Sequence, residues 1–482
     1  MNTSLNAARR TRELGLAAEQ DVDVLVVGLG ATGAGAALDA ASRGLTVAAI
    51  DAHDLAFGTS RWSSKMIHGG LRYLAKGQVG VAYESAVERG VLLGRTAPHL
   101  VRAQPYLLPL TQDVSRAQSA LVMTGYRLGD ALRIAARTPR RLLPGPSRLT
   151  AARARELAPE LSPYGLRGAL LSWDGRLVDD ARLVVAIART AAGCGAMVLT
   201  KCRALELTGG GARVRDEVSG SEFTIRARVV INATGVWAGQ LDPSVRLRPS
   251  RGTHLVLRPS TLPGLRAGLH VPLPGESNRF ALVLPQRDGR VYVGLTDEPV
   301  DGPIPDVPEA PEADVSALLG VLNSVLERPV ARAEVAGAFA GLRPLLAADG
   351  RTADLSRSHA VLAHNGVVTV VGGKLTTYRR MAEDAVDRAV TLAGLPASKS
   401  ITARLPLVGA EDARAVQQLI GQDPALGETL PTGVTRADLV WAVRHEGALD
   451  EGDLLDRRTR IGLIPEDREA ALPAAKQALS AC

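Results

Sequence analysis

The sequence predicts an α/β fold in which a parallel sheet is interrupted by antiparallel excursions. Three observations predict it. Residues 23–27 are an apolar run that ends in Gly28-Leu29-Gly30-Ala31-Thr32-Gly33, passes through small residues, and re-emerges as a second apolar run closed by Asp51. Strand, turn, helix, strand and acid in that register form a Rossmann-like βαβ unit. Buried-strand runs return far along the chain at residues 229–231 and 367–371, so the first sheet is completed after long insertions. Between these returns, residues 246–256 and 280–296 alternate short apolar stretches with Gly, Pro, Asn and Asp turns, the pattern of an antiparallel sheet.

Taken in chain order, residues 1–20 are polar and arginine-rich without an apolar stretch, and read as an N-terminal tail with no secretory signal. In the βαβ unit the glycines allow a tight turn and close backbone approach to a pyrophosphate. Asp51 is placed to accept from ribose hydroxyls, which fits either NAD or the adenosine half of FAD. Residues 56–65 are dense in small hydroxyl side chains and read either as a loop returning over the pyrophosphate or as a solvated serine-rich loop. In His68-Gly69-Gly70-Leu71-Arg72-Tyr73, two glycines between a histidine and an arginine imply close backbone approach to something flat.

Residues 120–143 set Leu121, Val122, Met123, Leu128, Leu132 and Ile134 among Arg127, Arg133, Arg137, Arg140 and Arg141. This basic amphipathic helix lies either on an anionic membrane surface or on the protein's own core. A helix opens at Val178-Asp179-Asp180, a strand follows at 196–200, and the strand at 229 ends in a glycine turn at Thr234 and Gly235. Residues 301–311, rich in proline and acids, form a loop. After the strand at 367–371 comes Gly372-Gly373-Lys374-Leu375-Thr376-Thr377-Tyr378-Arg379-Arg380, a second basic, hydroxyl-rich block. It joins Ser63-Ser64-Lys65 and the glycines after them, about three hundred residues earlier, in one anionic site where N–H groups and cations converge on phosphate.

Composition sets the limits. A chain of 482 residues, 46% hydrophobic and 22% charged, is long enough for two or three domains with substantial cores and is not a disordered chain. Lysine plus arginine exceed aspartate plus glutamate by 57 to 50. The cations are scattered among acids without aromatic interleaving, which suits an anionic substrate or anionic lipid and not nucleic acid. Cys194, Cys202 and Cys482 show no ligand spacing, which argues for a reducing cytosol and against a disulfide framework or a metal site. The longest early uncharged stretch, residues 24–38, is about fifteen residues, short of the roughly twenty that span a membrane.

Seven segments together resemble the FAD-dependent, quinone-linked glycerol-3-phosphate dehydrogenase family, over most of residues 21–410: SSKMIHGGLRYL from Ser63, VDDARLV from Val178, NATGVW from Asn232, RGTHLVL from Arg251, AGLRPLL from Ala340, SRSHAV from Ser356 and GGKLTTYR from Gly372. The resemblance implies an FAD-binding domain of the glutathione-reductase and D-amino-acid-oxidase type, made of residues 21–75, 175–245 and 335–398. It further implies an interleaved antiparallel substrate domain (76–174 and 246–334) and a shortened helical cap (399–482). Carried over residue by residue, Gly28, Gly30, Gly33, Asp51, Ser63, Ser64, His68, Gly69, Leu71, Thr234, Gly235, Lys374 and Thr376 are implied flavin contacts, with FAD bound non-covalently. Arg72, Tyr73, Arg357, Lys374 and Thr377 are implied on the substrate side. Arginine forks match phosphate oxygens, so Arg72 and Arg357, with Lys374, suit the phosphate of glycerol 3-phosphate.

His254 and Arg343 are the implied catalytic pair. Histidine has the unperturbed pKa best suited to take the hydroxyl proton near neutrality, and Arg343 suits negative charge developing on oxygen, although the two can exchange duties. His254, alone in a strand, also reads as structural, and Arg343-Pro344 also reads as a helix end. The family's Ile-Pro-Trp is here Leu284-Pro285-Gln286, which opens that wall and leaves other small anionic 2-hydroxy substrates open. The cap has seventy-odd residues after Gly409, with Arg444–Arg460 resembling the family's last helices, so acceptor contacts or a homodimer can differ. The implied partners are a membrane quinone and the anionic cytoplasmic leaflet, held peripherally. Oxygen as acceptor, or a flavoprotein without turnover, remains open.

Overall fold

The computed structural model describes residues 2–75, 77–273, 276, 279–347 and 358–481, with the side chains of Arg72 and Ala75 outside that description. In chain order the elements that build the site are α1 (Ala7–Glu19), β1 (Val22–Val27), α2 (Ala31–Ser42), β2 (Val47–Ile50), β3 (Met66–Ile67), α3 (Leu71–Ala75), α4 (Val79–Val91), β4 (Val101–Pro109), α5 (Arg116–Ala135) and β5 (Ala169–Leu177). They continue with α6 (Asp180–Gly193), β6 (Met197–Leu199), β7 (Glu222–Asn232), β8 (Ser250–Leu257), β9 (Gly268–Pro272), β10 (Phe280–Pro285), β11 (Val291–Gly294), β12 (Val335–Arg343), β13 (His359–His364), β14 (Val367–Gly372) and α7 (Tyr378–Ala393).

Five strands run parallel in the order β14-β7-β1-β2-β6, and β13 adds an antiparallel edge. Each apolar run found in the sequence is therefore a central or near-central strand, buried on both faces, as a parallel sheet requires. Its covering helices α2, α6 and α7 pack on one another and on the sheet. Ten residues of α2 are buried, mostly alanine and glycine, because it sits close to both the sheet and α7. Asp179 starts α6 by accepting from Arg182 N–H, and Gly394 ends α7 in the left-handed region at φ 58°.

The second sheet has the order β8-β11-β10-β9-β4-β5-β3 beyond a short edge strand, Glu298–Pro299, with β12 also paired to β8. Its pairs are antiparallel except β9 with β4. Residues 66–67 and 335–343, which the sequence reading groups with the nucleotide unit, are strands of this second sheet, and β5 crosses the boundary at residue 175. Alternating apolar residues of β8, β9, β10 and β11 pack under the helix Glu312–Asn323 to form a separate core.

The expected N-terminal tail is instead the helix α1, capped by Asn6. Its arginines are consumed by the fold: Arg9 donates to the Ala192 carbonyl at 3.0 Å and Arg10 to the Thr200 carbonyl at 2.7 Å. The C-terminal region folds into a small helical unit with its own core, formed by Leu439, Leu454, Leu455, Ile461 and Ala475. Helix α5 starts at a Ser115 cap and stops at Ala135, well before residue 143, because Arg137 takes a left-handed φ of 57°.

Candidate active site

The C-terminal ends of β1, β2, β7 and β14 open onto β8, β10 and β12, and a cavity of about 520 Å³ lies at this junction. Where strands of an open α/β sheet end, a ligand crevice is expected. The glycine turn is built by close approach. Gly28 has φ +98°, and a Cβ there would stand 2.7 Å from the Ala233 carbonyl oxygen. A Cβ on Gly33 would run into the backbone of Gly28, so that glycine serves helix-to-strand packing and lies off the cavity. Gly28, Gly30, Asp51, Thr234 and Gly235 all line it.

Asp51 accepts from the Leu29 N–H at 2.7 Å and the His53 N–H at 2.8 Å. Burial outweighs these donors and lifts its carboxyl to about 6. His53 stacks on Phe57 at 3.8 Å, closing the cavity wall at this end.

The two basic blocks meet. The His68 N–H donates to Thr376 Oγ1 at 3.2 Å, and Lys374 Nζ stands 4.0 Å over the Tyr73 ring while donating to Ser85 Oγ. Ser63, Ser64, His68, Lys374 and Thr376 line the cavity. Tyr73 and Thr377 are buried beside it without lining it. Gly69 and Leu71 also lie off the lining, for different reasons. The flat group against Gly69 is the Arg89 guanidinium, whose Cζ would be 2.7 Å from an added Cβ, and the Gly69 N–H donates to Asp174 at 3.0 Å. Leu71 packs against α5, where Gly125 and Gly129 make room for it. The Arg72 side chain and Arg357 lie outside the described residues.

On the opposite wall, His254 and Arg343 line the same cavity. His254 is 2% exposed, stacked 4.8 Å from Phe339, with Nε2 at 2.9 Å from Ser64 Oγ and Nδ1 without a partner among the described residues. Gly294 and Gly252 are small because these side chains lie over them: a Cβ at Gly294 would be 2.7 Å from His254 Cγ, and one at Gly252 3.0 Å from Arg343 Cζ. Arg343 donates to Ser250 Oγ at 3.1 Å, to Asp297 at 3.2 Å and to the Thr296 carbonyl at 3.2 Å.

Burial, reinforced by the cations Lys65 and Arg343, holds the His254 imidazole down at about 3, against the opposing pull of Asp180. The unperturbed value expected from the sequence is therefore corrected: this histidine is neutral throughout the working range of pH. Lys65 is itself fully buried, paired to Asp180 at 2.8 Å and donating to the Arg61 carbonyl at 2.8 Å, with burial lowering it to about 8.

Asp180, Ser85, Arg89 and Asp174 escape the sequence reading, and Lys65, expected among the cations converging on phosphate, lies off the cavity lining, buried against Asp180. The acid pair Asp179-Asp180 gave a signal: one acid caps α6, and the second, besides accepting from the Ala181 N–H at 3.0 Å, pairs with Lys65.

Residues 23–379 match the family described as FAD dependent oxidoreductase. The chain is 50% identical to glycerol-3-phosphate dehydrogenase 1 of Mycobacterium tuberculosis, over 99% of each chain. It is 33% identical to a mitochondrial glycerol-3-phosphate dehydrogenase of Arabidopsis thaliana, over 96% of this chain and 83% of that one. Among solved structures, the glycerol-3-phosphate dehydrogenase of Bacillus halodurans complexed with FAD shares the fold with a TM-score of 0.74 at 24% identity, covering 98% of this chain and 94% of that one. The FAD-bound L-alpha-glycerophosphate oxidase of Mycoplasma pneumoniae follows at 0.60 and 19%, covering 81% and 100%. With the family match spanning most of the chain and full-length relatives at this identity, the chain belongs to the FAD-dependent oxidoreductases, in the glycerol-3-phosphate dehydrogenase family.

Proposed function

We propose that the protein oxidises sn-glycerol 3-phosphate to dihydroxyacetone phosphate on a non-covalently bound FAD and passes the electrons to a membrane quinone. One observation carries the reading: the cavity that begins at a glycine turn and Asp51 ends between a cation, Lys374, and the neutral His254 beside Arg343. The residues fit FAD. Gly28 and Gly30 bring the turn's backbone to the cavity lining, Asp51 can accept from ribose, and the first turn of α2 offers N–H donors. FAD, when bound, supplies the hydride acceptor.

The side chains divide the remaining work. Lys374 anchors the substrate phosphate, with Arg72 and Arg357 as further candidates, and so holds the secondary alcohol in near-attack geometry. His254, neutral and held through Ser64, accepts the hydroxyl proton at Nε2. Arg343, fixed by Ser250 and Asp297, stabilises negative charge growing on that oxygen. Ser64 must release its bond to Nε2 as the substrate hydroxyl replaces it. The cations around His254 keep it unprotonated until then.

Quinone as acceptor calls for a membrane-facing surface, and α5 provides a candidate. No described helix is long and apolar enough to cross a membrane. Leu121, Leu128 and Ile134 are 62%, 55% and 60% exposed, and Val79 and Tyr83 of the neighbouring α4 are exposed too. Apolar side chains on two packed helices, with Arg127, Arg137, Arg140 and Arg141 exposed nearby, suit peripheral binding to the anionic cytoplasmic leaflet. Arg133 does not belong to that set, since it is buried and donates to Asp130 at 2.6 Å and to the Thr138 carbonyl at 2.5 Å.

The test is oxygen consumption and dye reduction with glycerol 3-phosphate. Reduction of a quinone analogue without hydrogen peroxide is expected. Peroxide formation in stoichiometric amount overturns the quinone, and no turnover with either acceptor overturns the substrate.

A further inference from the structure

The C-terminal helical unit meets the nucleotide fold at a buried ionic knot directly behind the cavity wall at its Asp51 end. Asp54, three residues after Asp51, is fully buried and shared by two consecutive arginines of the C-terminal unit. Arg457 Nε donates to it at 2.6 Å, and Arg458 holds both of its oxygens at 2.8 Å through Nη1 and Nη2. Each arginine is tied back into its own unit, Arg457 to Asp453 at 2.5 Å and Arg458 to the Glu446 carbonyl at 3.1 Å.

Two neighbouring ties repeat the pattern. Lys201 pairs with Asp450 at 2.5 Å and Asp453 at 3.1 Å, while its N–H donates to the His53 carbonyl at 2.6 Å and the next N–H, of Cys202, to the Asp51 carbonyl at 2.7 Å. Arg460 donates to the Arg61 carbonyl at 2.6 Å, and Arg61 in turn to the Phe57 carbonyl at 2.8 Å. The wall between Asp51 and Trp62 has one short 3₁₀ turn, Thr59–Arg61, as its regular structure, and Ala56 sits at φ +59°. Its shape is thus set from behind, by long-range partners. From this wall Asp51, His53, Phe57 and Ser60 face the cavity, whereas no residue of 446–460 lines it.

We infer that the C-terminal unit is a clamp on the nucleotide half of the cofactor site: Arg457 and Arg458 are positioning residues that act through Asp54, so FAD binding and seating of this unit are one linked equilibrium. Linkage makes the coupling reciprocal, so a bound cofactor must tighten the clamp as much as the clamp tightens the cofactor. The proposal rests on the cavity holding FAD and is independent of the substrate and of the electron acceptor.

Hydrogen exchange on the wild-type chain, stripped of FAD and reloaded, tests it without any substitution. Amides of residues 449–460 should exchange at least about tenfold more slowly with FAD, while the helix Asp412–Gln422 in the same unit changes by less than about twofold. Equal change in both segments, or none in either, overturns the clamp. Arg457→Ala and Arg458→Ala supply the second arm, with the apoprotein titrated by quenching of flavin fluorescence. The FAD dissociation constant should rise at least about tenfold, with the KM for glycerol 3-phosphate at saturating FAD within about twofold of wild type. Arg457→Lys should regain most of the affinity and Arg458→Lys little, because only the second side chain uses a two-pronged grip. If the variants fold, melt at lower temperature with and without FAD by the same interval, and bind FAD as wild type does, the arginines are structural and the proposal fails.

Discussion

Replacing Gly294 by alanine tests the placement of His254 without altering any polar group. A Cβ at this position would stand 2.7 Å from His254 Cγ and 2.8 Å from Nε2, where ordinary contact begins at 3.4 Å. The ring must therefore move by at least about 0.7 Å, the difference between 3.4 and 2.7 Å. It has little freedom to do so, since Phe339 stacks on the imidazole at 4.8 Å and an interplanar angle of 11°. A shift of this size along the Ser64 bond takes 2.9 Å to about 3.6 Å, beyond hydrogen bonding. Misplacement on this scale costs roughly ten- to a hundredfold in rate, while overpacking costs about 1–3 kcal/mol of stability. The assay is steady-state dye reduction on enzyme whose FAD content and melting temperature are measured beside it. The expected outcome is a kcat lowered by that factor, with FAD content unchanged and KM little changed. A folded, FAD-loaded variant that keeps kcat within about threefold of wild type refutes the role given to His254.

Three further outcomes follow from named groups. Burial raises the Asp51 carboxyl from 3.8 to about 6, so below that value the empty site holds it protonated and unable to accept from both ribose hydroxyls. FAD affinity should therefore increase from pH 5 to 7, and Asp51→Asn should flatten that dependence in a fluorescence titration. The same shift runs the other way for the apoprotein, whose stability from this group is greatest below about pH 4 and is lost as pH rises through about 6. Lys374→Ala should raise KM for glycerol 3-phosphate by about thirtyfold, equivalent to about 2 kcal/mol of phosphate binding, in steady-state kinetics at saturating FAD. Leu121→Ser with Leu128→Ser and Ile134→Ser should lower sedimentation with anionic liposomes without affecting dye reduction, and high salt should weaken the wild type further.

The sequence made the parallel sheet legible because its evidence is local: an apolar run, a glycine turn and an acid within thirty residues need no knowledge of the rest of the chain. The meeting of residues 63–73 with 372–378 was also legible, because both blocks carry the same unusual chemistry and His68 does bond to Thr376. What escaped is whatever depends on a partner from another element. Gly69 is a glycine because of Arg89, a residue of α4 that no motif connects to it. Residues 1–20 looked like a tail because arginine is counted as solvated, whereas Arg9 and Arg10 reach backbone carbonyls that no sequence pattern reveals. The same assumption counted Arg133 among the exposed cations of its helix, although it is buried. Buried arginine was the recurring blind spot, and it is also what joins the C-terminal unit to the wall at Asp54.

Lys65 shows why a buried cation can matter more than its distance from the chemistry suggests. It stands 5.2 Å from the Phe339 ring, on which the His254 imidazole also stacks, and its charge is compensated by Asp180 at the start of α6. Losing either partner leaves a charge stranded in the interior, a loss of about 3–5 kcal/mol. The pair thus fastens the loop after β2 to a helix of the nucleotide fold, while its cation faces the catalytic wall of the second sheet. Burial first and then the cations Lys65 and Arg343 lower the proton affinity of His254, so on the proposed function a proton would settle there once the incoming dianionic substrate supplied a compensating negative charge. On that proposal the empty site is kept unprotonated and receptive, and the histidine's basicity would be restored by the substrate itself.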